Sequence, residues 1–317
     1  MNTEKKLKEY LEKIKKEEEF ISKHFPSSKF SLDEKIYSKF NILKLNININ
    51  NRDIQPMLFG DLNDLARLNK HFWELGSEEW SNKMESFSNR GTFLKRGILI
   101  PKLIEECRKY VKKDSNVIEL GIGEGVIFRE LKKLTSDVSG LDLSSKFIDK
   151  LKKEFPLNNF YAEDVVEMDF SKRFSMVICS MLLLDIPQID LALSKIFSIL
   201  EPQGILIIVD INSNVYKALG YYEGNNLVKV HNSEIIFHTE KIISGHTKAV
   251  HNYHPFNYYR DSLTLKGFYV LEDYVFGPTK KLVFENKNLN ESEKENLTRE
   301  LVKDINNPPF HMIVMRK

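Results

Sequence analysis

From residue 100 to residue 211 the chain alternates short apolar runs with amphipathic segments, and no other feature restricts its fold as strongly. "ILIPKLIEECRKYV" places Ile100, Leu103, Ile104, Cys107, Tyr110 and Val111 at helical spacing. Beyond it, "NVIELG" reads as a buried strand, "VIFRELKKL" as a helix, "VSGLDL" as a strand and "SSKFIDKLKKEF" as a helix. "NFYAED" and "FSMVICSML" follow as strands, "IDLALSKIFSIL" as a helix and "GILIIVDI" as a strand. Strands separated by helices pair in parallel through right-handed crossovers, so the predicted architecture is an α/β, doubly wound, mostly parallel sheet. Two late strands, "GFYVLEDYVF" and "FHMIVMRK", flank a Lys/Glu-rich helix and suit a hairpin-like sheet edge, which brings the strands to seven.

Outside this region the patterning changes. Residues 4 to 23 mix Lys and Glu around Leu7, Tyr10, Leu11, Ile14, Phe20 and Ile21, which predicts a charged amphipathic helix on the surface rather than in a core. "ILKLNININ" alternates like a short strand, and "FGDLNDLARLNKHFWELG" reads as a second helix opened by Asp61 or Asn63. The predicted organisation is a mostly helical N-terminal cap over residues 1–90 and an α/β domain over 91–317. Within that domain the long stretch from about 211 to 258, between the fifth and sixth strands, is expected to form a lid.

Composition narrows the function classes. The longest apolar runs, such as "GILIIV" and "VICSMLLL", fall far short of the roughly 20 residues of a membrane helix. The N-terminus "MNTEKKLKEYLEKIKKEEEF" has neither an apolar core nor a cleavage site, so a cytoplasmic protein with no membrane partner is expected. Two cysteines, Cys107 and Cys179, support neither a disulfide framework nor a Cys-based metal site. With 47 basic and 45 acidic residues, a nucleic-acid partner is not expected and a small-molecule substrate is.

The chemistry gathers at "VIELGIGEG", where an apolar run ends in Gly121, Gly123 and Gly125. A strand, a glycine turn and a helix bring backbone close to a ligand. The dinucleotide fingerprint G-x-G-x-x-G fails here, because position 126 is Val and the third glycine comes one residue early. No Gly-Lys-Ser/Thr of a nucleotide-triphosphate loop follows either.

In these residues the sequence resembles the class I S-adenosylmethionine-dependent methyltransferases, whose first motif, acidic-x-Gly-x-Gly-x-Gly, corresponds to Glu119, Gly121, Gly123 and Gly125. Asp142, in "GLDLS", stands where the family has a carboxylate for the ribose hydroxyls. Asp164, in "AEDVVEMDF", stands where it has one for the adenine amino group, with the peptide at Val165 beside the ring. "ILEPQGILII" resembles the family's L-x-P-G-G turn, with Gln203 in place of the first glycine. The likeness runs over about residues 95 to 317 and points toward the ubiquinone/menaquinone methyltransferase-like group. It implies the seven-stranded Rossmann-like methyltransferase fold and S-adenosylmethionine as cofactor, held by Glu119, Gly121, Ile122, Gly123, Gly125, Asp142, Leu143, Asp164, Val165 and Ser180. The chain departs from the family in opening its fourth strand with Phe174-Ser175 and in carrying Leu184-Asp185 where a His often follows that strand.

"NPPF", Asn307 to Phe310, matches the tetrapeptide of amino-methylating nucleic-acid enzymes, but the fourth-strand position it would have to follow is taken by "FSMVICSML". It is read instead as the turn into the last strand. Five of eight histidines, His231, His238, His246, His251 and His254, lie in the lid segment, with no recurrent ligand spacing, so no metal is expected. For the acceptor side the candidates are Trp80 and Tyr253 as pocket walls, and Asp185 and His254 as catalytic groups. The expected function is methyl transfer to a small molecule, with specialised metabolism as its setting. The alternatives are transfer or cyclisation of the aminocarboxypropyl arm of the same cofactor, and a cofactor-binding module without activity.

Overall fold

The computed structural model describes residues 3–33, 43–49, 52–83, 90–212, 236–243, 247–253 and 256–317. Two compact units result. One comprises Met1–Trp73, Leu184–Gln188 and Tyr216–His254; the other comprises Glu74–Leu183, Ile189–Val215 and Pro255–Lys317.

In the first unit, α1 (Thr3–His24) is followed by three strands, β1 (Lys29–Asp33), β2 (Leu43–Ile49) and β3 (Arg52–Phe59), in an antiparallel sheet of order β1-β2-β3. Alternation in the sequence announced β2 alone. The Lys/Glu-rich α1 is a core element and not a solvated surface helix. Tyr10, Ile14 and Ile21 fall on one helical face, and they are buried with Leu43, Leu45 and Ile47 of β2. Then α2 (Leu62–Lys83) begins as read from sequence, the Asp61 carboxylate accepting the Asp64 N–H at 2.9 Å. The lid segment supplies an antiparallel pair, β9 (Ile236–Ile243) and β10 (Thr247–Tyr253), in which His238 faces His251.

The second unit opens with α3 (Arg90–Thr92), a π-helical turn (Phe93–Leu99) and α4 (Ile100–Cys107). Sequence spacing suggested an ordinary helix here. Pro101 explains the wide turn, because proline donates no N–H and its ring crowds the carbonyl four residues back. Arg90 fixes the start of this stretch by donating from Nε and Nη2 to the buried Asp304 carboxylate at 2.8 and 2.6 Å. There follow β4 (Val117–Leu120), α5 (Val126–Leu131), β5 (Val138–Asp142), α6 (Ser145–Glu154), β6 (Phe160–Ala162) and β7 (Phe174–Ser180). After β7 come α7 (Ile189–Ile199), β8 (Leu200–Ile211), α8 (Phe256–Leu265) and β11 (Tyr269–Phe276). The chain ends with α9 (Lys280–Phe284), α10 (Glu291–Glu300), α11 (Val302–Asn306) and β12 (Phe310–Arg316).

Seven strands form one sheet of order β11-β12-β8-β7-β4-β5-β6. β8, β7, β4, β5 and β6 run parallel, and β12 lies antiparallel between β8 and β11. Every residue of β4 and β5 is buried, as a sheet covered on both faces requires. Its core joins Leu99, Leu103, Phe128, Ile148, Ile178, Ile207 and Val314. "NNPPF" is the turn into β12: the Asn212 N–H and side-chain amide donate to the carbonyls of Pro309 and Pro308 at 2.7 and 2.9 Å. Among the described residues no helix is long and apolar enough to cross a membrane.

Candidate cofactor site

From β4 the chain steps outward to β5 and β6, then returns on the other side to β7 and β8. The carboxyl end of β4 is therefore the switch point where ligands settle in open α/β sheets. Gly121, Gly123 and Gly125 occupy it with φ of 72°, 51° and 73°. At Gly123 an added Cβ would meet nothing within 4 Å, whereas at Gly125 it would strike Leu151 at 2.7 Å. Gly123 thus borders open space and Gly125 is set by packing on α6.

Four of the loop's N–H groups are spent inside the protein. Gly121 and Ile122 both donate to the Leu141 carbonyl (2.8 and 3.0 Å), Gly123 to Asp142 Oδ2 (2.8 Å) and Gly125 to the Ile122 carbonyl (2.9 Å). A phosphate cradle keeps such groups directed at the anion. With its three glycine N–H groups committed, the loop offers a ligand mainly contour, which agrees with the failed dinucleotide fingerprint.

Charged groups surround it. Asp142, at the end of β5, accepts the Gly123 N–H on Oδ2 and the Ser144 N–H on Oδ1 at 2.8 and 2.9 Å. Each carboxylate oxygen keeps accepting capacity beyond one bond. Glu119 is 2% exposed, and its Oε2 has no hydrogen-bond partner among the described residues. Burial pushes its pKa well above the usual carboxylate range, while Lys95 and the Phe128 N–H pull it back. Ser180, one residue beyond the Leu120–Cys179 register pair, carries a second buried oxygen without a partner among the described residues. The turn after it is held in the left-handed region at Met181, φ 55°, whose N–H donates to the Val209 carbonyl at 2.8 Å. Burial raises both thiols, Cys107 and Cys179, which removes them as nucleophiles.

Residues 111–260 match the family model of a methyltransferase domain. Over those residues the chain is similar to a methyltransferase domain. Its fold is that of the class I S-adenosylmethionine-dependent methyltransferases. An S-adenosylmethionine-dependent methyltransferase from Mesorhizobium loti is 16% identical with a TM-score of 0.52, over 68% of this chain and 96% of that one. The structure described as the DhpI–SAM–HEP complex is 14% identical, with a TM-score of 0.55 over 80% of this chain and 98% of the other. A third, from Methanosarcina mazei, is 16% identical with a TM-score of 0.50, over 67% and 96%. No curated protein matches the chain.

The seven-stranded sheet brings Glu119, Gly121, Gly123, Gly125, Asp142 and Ser180 to one end of adjoining strands. Ile122 turns its side chain into the core, where it fills the space a Cβ on Gly140 would need. Leu143, next to Asp142, is partly exposed. Asp164 and Val165 follow β6; the Asp164 carboxylate accepts the Val166 N–H at 3.1 Å, and Val165 is buried. Asp185 closes a short 3-10 turn after β7, and its carbonyl accepts from the buried Asn69 amide of α2 at 2.6 Å. His254 and the side chains of Trp80 and Tyr253 lie outside the described residues. The described residues contain no group of three or more His, Cys, Asp or Glu suited to a metal ion.

Sequence reading missed Lys95 and Glu124. Lys95 lies on the π-helical turn, within electrostatic reach of Glu124, Glu119 and Asp142. Glu124 is held by Arg96 at 3.4 Å, while Arg129 donates to its carbonyl at 2.6 Å. The one signal available was the doublet Lys95-Arg96 inside the apolar run "FLKRGILI".

Proposed function

We propose that this chain is an S-adenosylmethionine-dependent methyltransferase acting on a small-molecule acceptor. The observation that carries this reading is the glycine loop itself: the N–H groups of its three glycines are consumed internally, and beside it stands a buried carboxylate with an unsatisfied oxygen. That combination suits a nucleoside with a cationic arm and disfavours a polyphosphate.

In this reading Asp142 accepts the two ribose hydroxyls, and Asp164 with the peptide at Val165 meets the adenine edge. The free oxygen of Glu119 accepts from the arm's ammonium, Gly123 leaves room for the arm, and Ile122, Leu143 and Ser180 border it. When bound, the cofactor supplies an electrophilic methyl group for in-line displacement. The protein's part is to hold the acceptor atom about 3 Å from that carbon and to exclude water. Asp185 and His254 are the groups proposed to take a proton from the acceptor, and Trp80 and Tyr253 those proposed to wall it.

The test is calorimetric titration with S-adenosylhomocysteine. Asp142→Ala should weaken binding by about 1.5–3 kcal/mol, the contribution of hydrogen bonds to a charged group. Unchanged affinity in a folded Asp142→Ala protein would overturn the assignment. Turnover with an acceptor should release S-adenosylhomocysteine; methylthioadenosine would mean transfer of the aminocarboxypropyl arm.

A further inference from the structure

The seven-stranded sheet has a second charged end, opposite the glycine loop. Basic doublets recur there every 20 residues: Lys112-Lys113, Lys132-Lys133, Lys152-Lys153 and Lys172-Arg173. The recurrence follows the strand and helix repeat, so one doublet precedes each of β4, β5, β6 and β7, which run parallel and side by side. All four doublets therefore stand at the amino ends of neighbouring strands, whose spacing is about 5 Å. Every member except Lys132 is exposed. Lys133 and Lys172 pair with Glu130 and Asp137 at 2.7 Å each, and Glu154 is taken by Arg129. Among the described residues the other six members form no ion pair, and Asp114 is the remaining acid close to them in the chain. Exposed apolar groups lie at the same end: Leu157 is 96% exposed, Leu265 90% and Tyr269 71%. Leu157 is in the turn before β6. Leu265 ends α8 and Tyr269 opens β11, which runs in the direction of β8 because β12 is antiparallel to both. The two edges of the sheet thus carry apolar corners, with the basic doublets between them.

We propose that this end of the sheet is a docking surface for an anionic lipid bilayer. The doublets attract acidic headgroups, and the apolar corners enter the boundary between headgroups and acyl chains. A nucleic acid would be held by the cations alone and would leave both leucines in water, so the corners favour lipid. Sequence reading set a membrane partner aside for want of a spanning segment; a peripheral surface needs none. The glycine loop lies at the carboxyl ends of the same strands, so docking here leaves the candidate cofactor site directed away from the bilayer.

The experiment is co-sedimentation of the full chain with vesicles of phosphatidylcholine, alone or with about 30% phosphatidylserine, at about 0.1 M salt. Wild type should bind the anionic vesicles and not the neutral ones. The combined variant Lys112→Gln, Lys113→Gln, Lys152→Gln, Lys153→Gln should weaken that binding about 30-fold or more. Lys280→Gln with Lys281→Gln, an exposed pair in α9 beyond the carboxyl end of β11, removes charge at the other end and should stay within about twofold. Leu157→Ser should weaken binding roughly threefold to tenfold. Should the fourfold variant fail to fold, either doublet changed alone must weaken binding about fivefold or more. The proposal is overturned if wild type does not bind, if it binds neutral and anionic vesicles equally, if Leu157→Ser binds unchanged, or if the doublet and α9 variants lose equally. Tighter binding of duplex DNA than of anionic vesicles also overturns it and would make this end a nucleic-acid surface.

Discussion

Gln203 stands where the related turn has glycine, and its φ of 65° shows why glycine is favoured there. A left-handed residue with a side chain costs roughly 1–2 kcal/mol, partly offset by the entropy that glycine loses on folding. Gln203→Gly should therefore stabilise the protein by up to about 1 kcal/mol and raise Tm by about 2–4 °C, whereas Gln203→Ala should not; calorimetric melts of the two variants decide. Glu119 makes a second residue-scale prediction. Burial raises its folded-state pKa above the ordinary 4.5, with Lys95 opposing and Asp142 adding to the rise. A raised acid contributes stability that is fully present below its unfolded pKa and lost as pH rises through the folded value. Without ligand, Glu119→Gln should thus flatten the fall in stability above pH 4.5, measured by urea unfolding across pH. Parallel profiles for variant and wild type would contradict the assignment of that charge.

At the scale of elements, α1 shows how a helix with mostly charged residues can be indispensable. Ile21 is fully buried among Ile14, Leu43 and Leu45, and truncation to Ala leaves a cavity worth about 2–5 kcal/mol. Ile21→Ala should lower the unfolding midpoint of the unit that contains α1 and β2 while the affinity for S-adenosylhomocysteine stays unchanged. Loss of affinity in the same variant would mean that the two cores fold as one. The glycine loop, by contrast, is held by elements of the second unit: the β5 carbonyl of Leu141, the Asp142 carboxylate, and Arg129, which also pairs with Glu154 of α6 at 2.6 Å.

For the whole molecule, the consequence is that ligand and stability are linked through the unit holding the seven-stranded sheet. A ligand at about 100 times its Kd adds about 2.7 kcal/mol, which corresponds to a rise of roughly 5–10 °C for a unit of this size. S-adenosylhomocysteine should produce that rise in differential scanning calorimetry, and adenosine triphosphate should not, because the N–H groups of Gly121, Ile122, Gly123 and Gly125 are already committed. A comparable rise with the triphosphate would count against the reading of the loop.

Period by itself determined the parallel sheet, because buried strands and amphipathic helices alternate in a way that admits one class of architecture. The strand-turn-helix pattern located the three glycines, and the resemblance to the methyltransferases pointed to Glu119 and Asp142. Tertiary structure decided the rest. The partner of the α1 stripe, β2, lies 19 residues beyond the end of α1, and no local pattern tells which sheet a helix will cover. The commitment of the loop N–H groups depends on Leu141 and Asp142 of a neighbouring strand. Lys95 looks in sequence like one cation among many; only the fold brings it within electrostatic reach of Glu119, because such proximity belongs to the packed chain and not to its local spacing.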